Sequence, residues 1–499
     1  MRYLLILRIL KILFALPAIG SLFWLLPNCA SAETQPVTVS VAAADSGPDL
    51  ASRFLGLSYE TSMVSPKNGR YYFAEQDQAL LNVFRTLGIK SLRLGGNAVD
   101  DARVPVPQEK DIDQLFQFAR AAGVKVIYSF RLKDGNPAES ARLASHIAAH
   151  YADLLDTFAI GNEPELYKPK PTYAEFFAWW KPHYDAILKF VPQAKFDGPS
   201  GYGNKPGGFA LSFAADVFPE GHLAMVSDHH YFLGPGRVME TNPPATRAKF
   251  LSNQVHENYE KSYDRLTAPL ALQKIPYRMD ELNSCSSGGA KDASDTYAAT
   301  LWALDCTHWW AAHHIMGMNY HTGESVGRDG GFAAANYAAF VHAPDGRGFV
   351  MRPQAYALLA FTQGAHGSPL ETRIASPPAF NFIAYAFRDH DGSLSVTLIN
   401  KSYGDHAQTA SVVLQLPPGL DESTPESLEL TQADQDVAAK NGVTLGGSAI
   451  DPQGIWPGKW TKIKIATNVP VEVAPASAKI LRFHKASLAA NPLPAAAKG

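Results

Sequence analysis

The chain has 499 residues, of which 46% are hydrophobic and 11% aromatic, enough for a large core and more than one domain. Its formal net charge is only −3 and it has no dense Lys/Arg cluster, which argues against nucleic acid as a partner and against gripping a long polyanion along an extended groove. Beyond the N-terminal stretch, no segment is apolar enough to read as a membrane span.

Residues 1–32 read as an export signal. Arg2, Arg8 and Lys11 precede an apolar stretch at 12–26, and Ala30-Ser31-Ala32 offers a small-x-small cleavage pattern before Glu33. Cleavage removes those three positive charges, taking −3 to −6, and implies a secreted or periplasmic protein without membrane contact. An uncleaved anchor is the alternative. Pro27-Asn28 before Cys29 make a poor lipoprotein site. Cys285 and Cys306 then remain, either paired or as two buried thiols, and no Cys/His spacing fits zinc.

Residues 33–50 contain Val37-Thr38-Val39-Ser40-Val41, an alternating run that predicts a strand of a peripheral sheet. Across 51–365, short apolar runs alternate with amphipathic stretches. Strands are predicted at 54–58, 90–94, 124–130, 154–161, 195–198, 223–227, 274–280 and 314–320. Helical patterns lie at 79–84, 112–122, 139–152, 173–190, 245–266, 295–313 and 352–361. Eight strands with interleaved helices predict an α/β fold, a (β/α)8 TIM barrel. From 366 to 485 the pattern becomes strands separated by turn residues, at 380–387, 394–399, 410–416, 469–473 and 478–483. This predicts an antiparallel β-sandwich domain. Residues 486–499 are Ala/Pro/Lys-rich and predict a frayed tail.

Two glutamates stand where barrel chemistry is kept. Gly161-Asn162-Glu163-Pro164-Glu165 closes the fourth strand and Met279-Asp280-Glu281-Leu282-Asn283 the seventh. Paired carboxylates facing one gap split a glycosidic bond: one protonates the leaving oxygen, the other meets the developing cation. Glu163 suits the acid and Glu281 the nucleophile. Asn162 can donate to a sugar hydroxyl, and Glu165, beyond the turn at Pro164, reads as a supporting or surface group. Strand alternation sends Asp280 to the face opposite Glu281. Arg93 and Tyr231 are candidate donors to Glu281, with a structural ion pair and a core aromatic as the alternatives. His229-His230-Tyr231 lacks a third ligand, so no metal is expected, and no cofactor. Ser286-Ser287-Gly288-Gly289 is a loop whose N–H groups can meet an anion or make only a turn. Asp228 and Glu324 also fall in mouth loops, without a role.

These motifs, with Phe54-Leu55-Gly56-Leu57-Ser58-Tyr59-Glu60, Leu92-Arg93-Leu94-Gly95-Gly96-Asn97 and Asn336-Tyr337, resemble glycoside hydrolase family 79, the bacterial β-glucuronidases and heparanases. The resemblance spans from about residue 50 into the C-terminal sandwich. It implies a retaining mechanism with Glu163 as acid/base and Glu281 as nucleophile, and Glu60 and Asn97 on sugar hydroxyls. It also implies a uronate carboxylate held by the loop after Glu281 and by Asn336-Tyr337, through backbone N–H groups and the Tyr337 hydroxyl. The implied substrate is a uronic-acid-containing glycan and the implied action exo. An endo-acting heparanase-like enzyme and an inactive carbohydrate-binding barrel are the alternatives. In one respect the chain departs from the pattern: Ser286 stands where the family often has a tyrosine, so a related uronide or a neutral sugar stays open.

Overall fold

The computed structural model describes residues 34–486 apart from 204, 327–331, 422–423 and 465–468. The proposed export signal and nearly all of the proposed tail lie outside the described residues.

After β1 (Thr34–Asp45), eight parallel strands close into a barrel. They are β2 (Leu55–Glu60), β3 (Ser91–Gly95), β4 (Lys125–Phe130), β5 (Leu155–Ile160), β6 (Phe196–Gly201), β7 (Leu223–Tyr231), β8 (Tyr277–Asn283) and β9 (Gly317–His321). The last pairs back on the first, from Leu55 against Met318 to Ser58 against His321. Helices cover the outside while side chains fill the inside, so these strands are buried on both faces and read as apolar runs. The predicted weak fifth strand is β6, extended to Gly201.

The intervening helices start where side chains satisfy their first free N–H groups. Asp77 accepts from Leu80 N, Asn136 from Ala138 N, and Thr172 pairs reciprocally with Glu175. Each such cap contributes about 1 kcal/mol. The helix predicted at 245–266 is broken instead into Pro243–Leu251, Gln254–Ser262 and a π-turn at Tyr263–Thr267.

Two hairpins that the sequence pattern did not reveal follow β9. They are β10 (Glu324–Val326) with β11 (Phe332–Ala334), and β12 (Phe340–His342) with β13 (Phe349–Met351). Three-residue strands carry too few positions for alternation to register.

The rest of the chain forms one ten-stranded sheet with β1. Its strands are β14 (Ser368–Ala375), β15 (Phe382–Arg388), β16 (Leu394–Asn400), β17 (Thr409–Gln415), β18 (Glu426–Gln432), β19 (Val443–Leu445), β20 (Thr461–Lys462), β21 (Val471–Val473) and β22 (Ser477–Phe483). The order is β19-β18-β22-β16-β15-β14-β1-β17-β21, with β20 on β18. The sheet folds over its own core, in which Val37 and Val39 of β1 meet Val396, Leu398, Val412, Val473 and Leu481. The pairs are antiparallel except β1 with β17, which is parallel. The N-terminal run therefore joins the sheet as its alternation predicts.

Helices Tyr297–Ala312 and Pro353–Gly364 lie between barrel and sheet. Both are apolar nearly all round, as burial on every side requires. A buried ion pair crosses this junction: Lys401 Nζ is 2.8 Å from Asp305, which also accepts from Tyr385 and contacts His256. Lys401 and Asp305 are fully buried. Cys285 and Cys306 are separate buried thiols.

Candidate active site

Both glutamates reach the C-terminal mouth of the barrel, one just past β5 and one on β8. The chain turns sharply at the first: Gly161 and Glu163 have φ of +87° and +48°, and Pro164 opens a 3-10 turn over Pro164–Leu166. Glu163 N–H donates to Ser200 O at 2.8 Å, fixing the turn to β6. Glu165 is buried rather than at the surface, and accepts from Phe209 N–H at 3.0 Å.

Arg93, fully buried on β3, holds the site together from below. Nη1 donates to Glu281 Oε2 at 2.6 Å and to Ser58 Oγ at 3.1 Å. Nη2 donates to Asn162 Oδ1 at 2.9 Å and faces His229 Nε2 at 3.1 Å. Nε forms an ion pair with Asp280 at 3.2 Å. Gly95 and Gly96 make room for this packing. A Cβ on Gly95 would lie 2.4 Å from the guanidinium, and one on Gly96, at φ +69°, 2.4 Å from Glu60.

The structure corrects the expected orientation of Asp280. Asp228 pairs with Met279 and the next residue, His229, with Glu281, so Asp280 is an extra, bulged residue in β8. A bulge ends strict alternation and lets neighbours share a face. Asp280 and Glu281 consequently both reach Arg93.

Tyr231 donates to the other Glu281 oxygen at 2.7 Å. Burial alone would raise the Glu281 carboxyl, but the charges of His321, His229 and Arg93 and the Tyr231 hydroxyl hold it far below the usual carboxylate range. Burial and Arg93 oppose a charged His229, yet Glu281 and Asp280 lift its imidazole to about 10. His229 Nδ1 faces Glu163 Oε1 at 2.9 Å. One oxygen of Glu163, one of Glu281 and a ring nitrogen of His229 lie within 4.8 Å of one another. The same trio has metal-like spacing, but Arg93 and the imidazole already supply the positive charge a cation would bring.

Above the pair opens a cavity of about 490 Å³. Of the residues singled out in the sequence, Glu60, Asn97, Glu163, Tyr231, Glu281, Ser286, Ser287 and Tyr337 line it. Asn162 and Arg93 lie beneath. Glu60 accepts from Ala98 N–H at 2.7 Å and is 3.5 Å from His321. Asn336 is not in the wall. Its side chain donates to Gly289 O and its backbone N–H to Gly288 O, so it braces the loop and its backbone N–H is taken. The Ser286 N–H is likewise taken, by Gly234 O. Ser287, Gly288 and Gly289 follow with φ of +57°, +84° and +81°. Among the described residues, the N–H groups of Ser287 and Gly288 have no partner, and both residues line the cavity. Partnerless N–H groups in a tight turn on a cavity wall can meet an anion.

Sequence reasoning passed over three residues of this site: His229 as a partner of Glu163, His321 and Tyr202. His229 was legible, since it is two residues before Tyr231 and shares its face of β7. His230 points away, stacks on Phe232 and is lowered to about 3 by burial. Tyr202, on the cavity wall with Glu163, follows the weakest predicted strand. Glu324 lines the cavity and accepts from His342 N–H at 2.7 Å.

No family model matches the chain, and no curated protein matches it. Solved structures share its fold. A 4-O-α-L-rhamnosyl-β-D-glucuronidase from Fusarium oxysporum 12S superposes with a TM-score of 0.67 at 18% identity, covering 89% of this chain and 99% of that one. A family 51 α-L-arabinofuranosidase from Bifidobacterium longum gives 0.64 at 14% identity, over 90% and 99%. A monomeric β-xylosidase from Caulobacter crescentus CB15 gives 0.54 at 14%, over 91% and 100%. At these identities the likeness establishes the architecture: a TIM barrel carrying a β-sandwich, the fold of these three glycosidases.

Proposed function

We propose that the chain is an exported retaining glycoside hydrolase acting on β-linked glucuronides of glycans. The observation that carries this reading is the separation of Glu163 and Glu281, whose nearest carboxyl oxygens lie within 4.8 Å. Retaining enzymes hold their carboxyl groups about 5–5.5 Å apart, whereas inverting enzymes leave about 6.5–9.5 Å for a water.

In the first step Glu281 attacks the anomeric carbon while Glu163 gives its proton to the departing glycosidic oxygen. A glycosyl ester on Glu281 results. In the second step Glu163, now a carboxylate, takes a proton from water. The resulting nucleophile displaces Glu281, and the configuration is retained. Arg93 and Tyr231 keep Glu281 ionised and aimed. His229 orients Glu163. The Ser287 and Gly288 N–H groups and the Tyr337 hydroxyl are the donors proposed for the uronate, with Glu60 and Asn97 on sugar hydroxyls.

Hydrolysis of p-nitrophenyl glucuronide, galacturonide, glucoside and xyloside, side by side, tests the reading. The glucuronide is expected to be cleaved fastest. Preference for the glucoside or xyloside would overturn the uronide assignment, and no cleavage of any would overturn the reaction. A 2-fluoro glycoside should label Glu281, and label on another residue would displace it as nucleophile.

A further inference from the structure

We infer that a second compartment of the barrel mouth binds the acid group of a sugar joined to the far side of the glycone, so that the substrate is an acidic oligosaccharide and not a single terminal uronide. The inference rests on the function proposed above and extends it.

Two cavities flank the catalytic one. The first, about 360 Å³, shares Asn97, Glu163 and Leu166 with it. Because it lies against the proton donor, it belongs to the leaving group. The second, about 680 Å³, shares Met63 and Glu324 with the catalytic cavity and does not touch Glu163. Its walls come from the loops after β2 and β9, the first and eighth barrel strands, while Glu163 follows the fourth. The two side compartments therefore adjoin the catalytic cavity at different places on the rim, the first beside Glu163 and the second at Met63 and Glu324.

That compartment is lined by Lys67, Arg70 and Arg352. Among the described residues none of the three has a carboxylate at ion-pair distance. Lys67 Nζ is 3.9 Å from the sulfur of Met63, and Arg352 Nη1 donates to Ala335 O. Burial lowers the Lys67 ammonium and no acidic neighbour offsets it. Glu324, on the shared wall, is already engaged by His342, and Asp77 caps a helix.

The cations are held by design of the local backbone. Lys67 and Arg70 exchange both backbone hydrogen bonds across Asn68-Gly69, whose φ values are +51° and +75°. This is a two-residue hairpin turn with both central residues left-handed, the tightest way to set two side chains abreast. A carboxylate between them gains charge-assisted hydrogen bonds without first breaking an ion pair.

Titration calorimetry of the full chain tests this, in the Glu281→Gln background so that ligand survives. The probes are a β-1,4-linked glucuronate trimer and glucuronic acid. The trimer is expected to bind at least about tenfold more tightly, and Lys67→Gln with Arg70→Gln to remove most of that advantage and flatten its salt dependence. Glucuronic acid, ending in the catalytic cavity, keeps its affinity. Equal binding of the two probes, or a trimer affinity indifferent to the double variant, would overturn the proposal. Should the double variant melt early, Arg70→Gln alone, at an exposed turn position, carries the comparison. Failure of the unmutated enzyme on every aryl glycoside would sink the reaction instead, and the calorimetry would still decide the compartment.

Discussion

Arg93 Nη1 stands 2.6 Å from Glu281 Oε2, and through Nε the same guanidinium is ion-paired with Asp280 at 3.2 Å. One buried cation thus ties two consecutive carboxylates to one strand, and its second nitrogen reaches Asn162 beside Glu163. The guanidinium is planar and fork-shaped, so a point charge cannot replace it. Arg93→Lys is expected to lower kcat by about 100-fold with little change in KM, since the lost contact steadies charge at the carboxylate proposed as nucleophile. Steady-state kinetics on an aryl glycoside check this, and a loss confined to KM would remove Arg93 from that role.

Glu163→Gln separates proton donation from attack. Alkyl and sugar leaving groups need the proton, and their hydrolysis should slow by roughly 10²- to 10⁴-fold. A dinitrophenyl leaving group departs without it, so its glycosylation step should be nearly unaffected. Equal losses on both substrates would take the acid role from Glu163.

The pH profile should respond to Tyr231→Phe. In the proposed reaction Glu281 attacks as a carboxylate, and its carboxyl is held far below the usual range, so activity should persist into acid until that low pKa is approached. Removing the Tyr231 hydroxyl, 2.7 Å away, takes a donor from the charged form and raises the pKa. The acidic limb of kcat/KM should then move to higher pH, by about one unit. An unmoved limb would show that another group sets it.

At the junction of barrel and sheet, Lys401→Met leaves Asp305 buried without its lysine partner. The expected cost is about 3–5 kcal/mol of stability, read by urea or thermal denaturation. The pH dependence has a definite sign. Burial would raise Asp305, but His256 and Lys401 hold it far below its ordinary value of 3.8. A depressed folded-state pKa contributes stability that is complete above the unfolded value, near pH 4, and is lost as pH falls toward the folded one. The native protein should therefore lose stability below about pH 4, and Lys401→Met should blunt that dependence.

Much of this architecture is legible in the sequence. Apolar runs of barrel length, each followed by an amphipathic stretch, were enough to count eight strands and to put Glu163 and Glu281 at the ends of the fourth and seventh. The Val37-Val39-Val41 alternation was enough to send β1 to the sheet. What escaped was shorter or irregular. Three-residue hairpin strands carry no period, and the bulge at Asp280 breaks the alternation on which its orientation was judged. The N–H groups of Ser286 and Asn336 were lost to backbone partners distant in sequence.

The order of residues by itself determined the barrel, the sheet and the two carboxylates at its mouth, because strand and helix periods are local and burial follows them. Only the tertiary structure decided how far apart those carboxylates stand, which cation holds them, and that Lys67 and Arg70 meet Arg352 around one cavity. These are distances between groups tens to hundreds of residues apart, set by the closure of the barrel and the packing of its loops, and no local pattern encodes them.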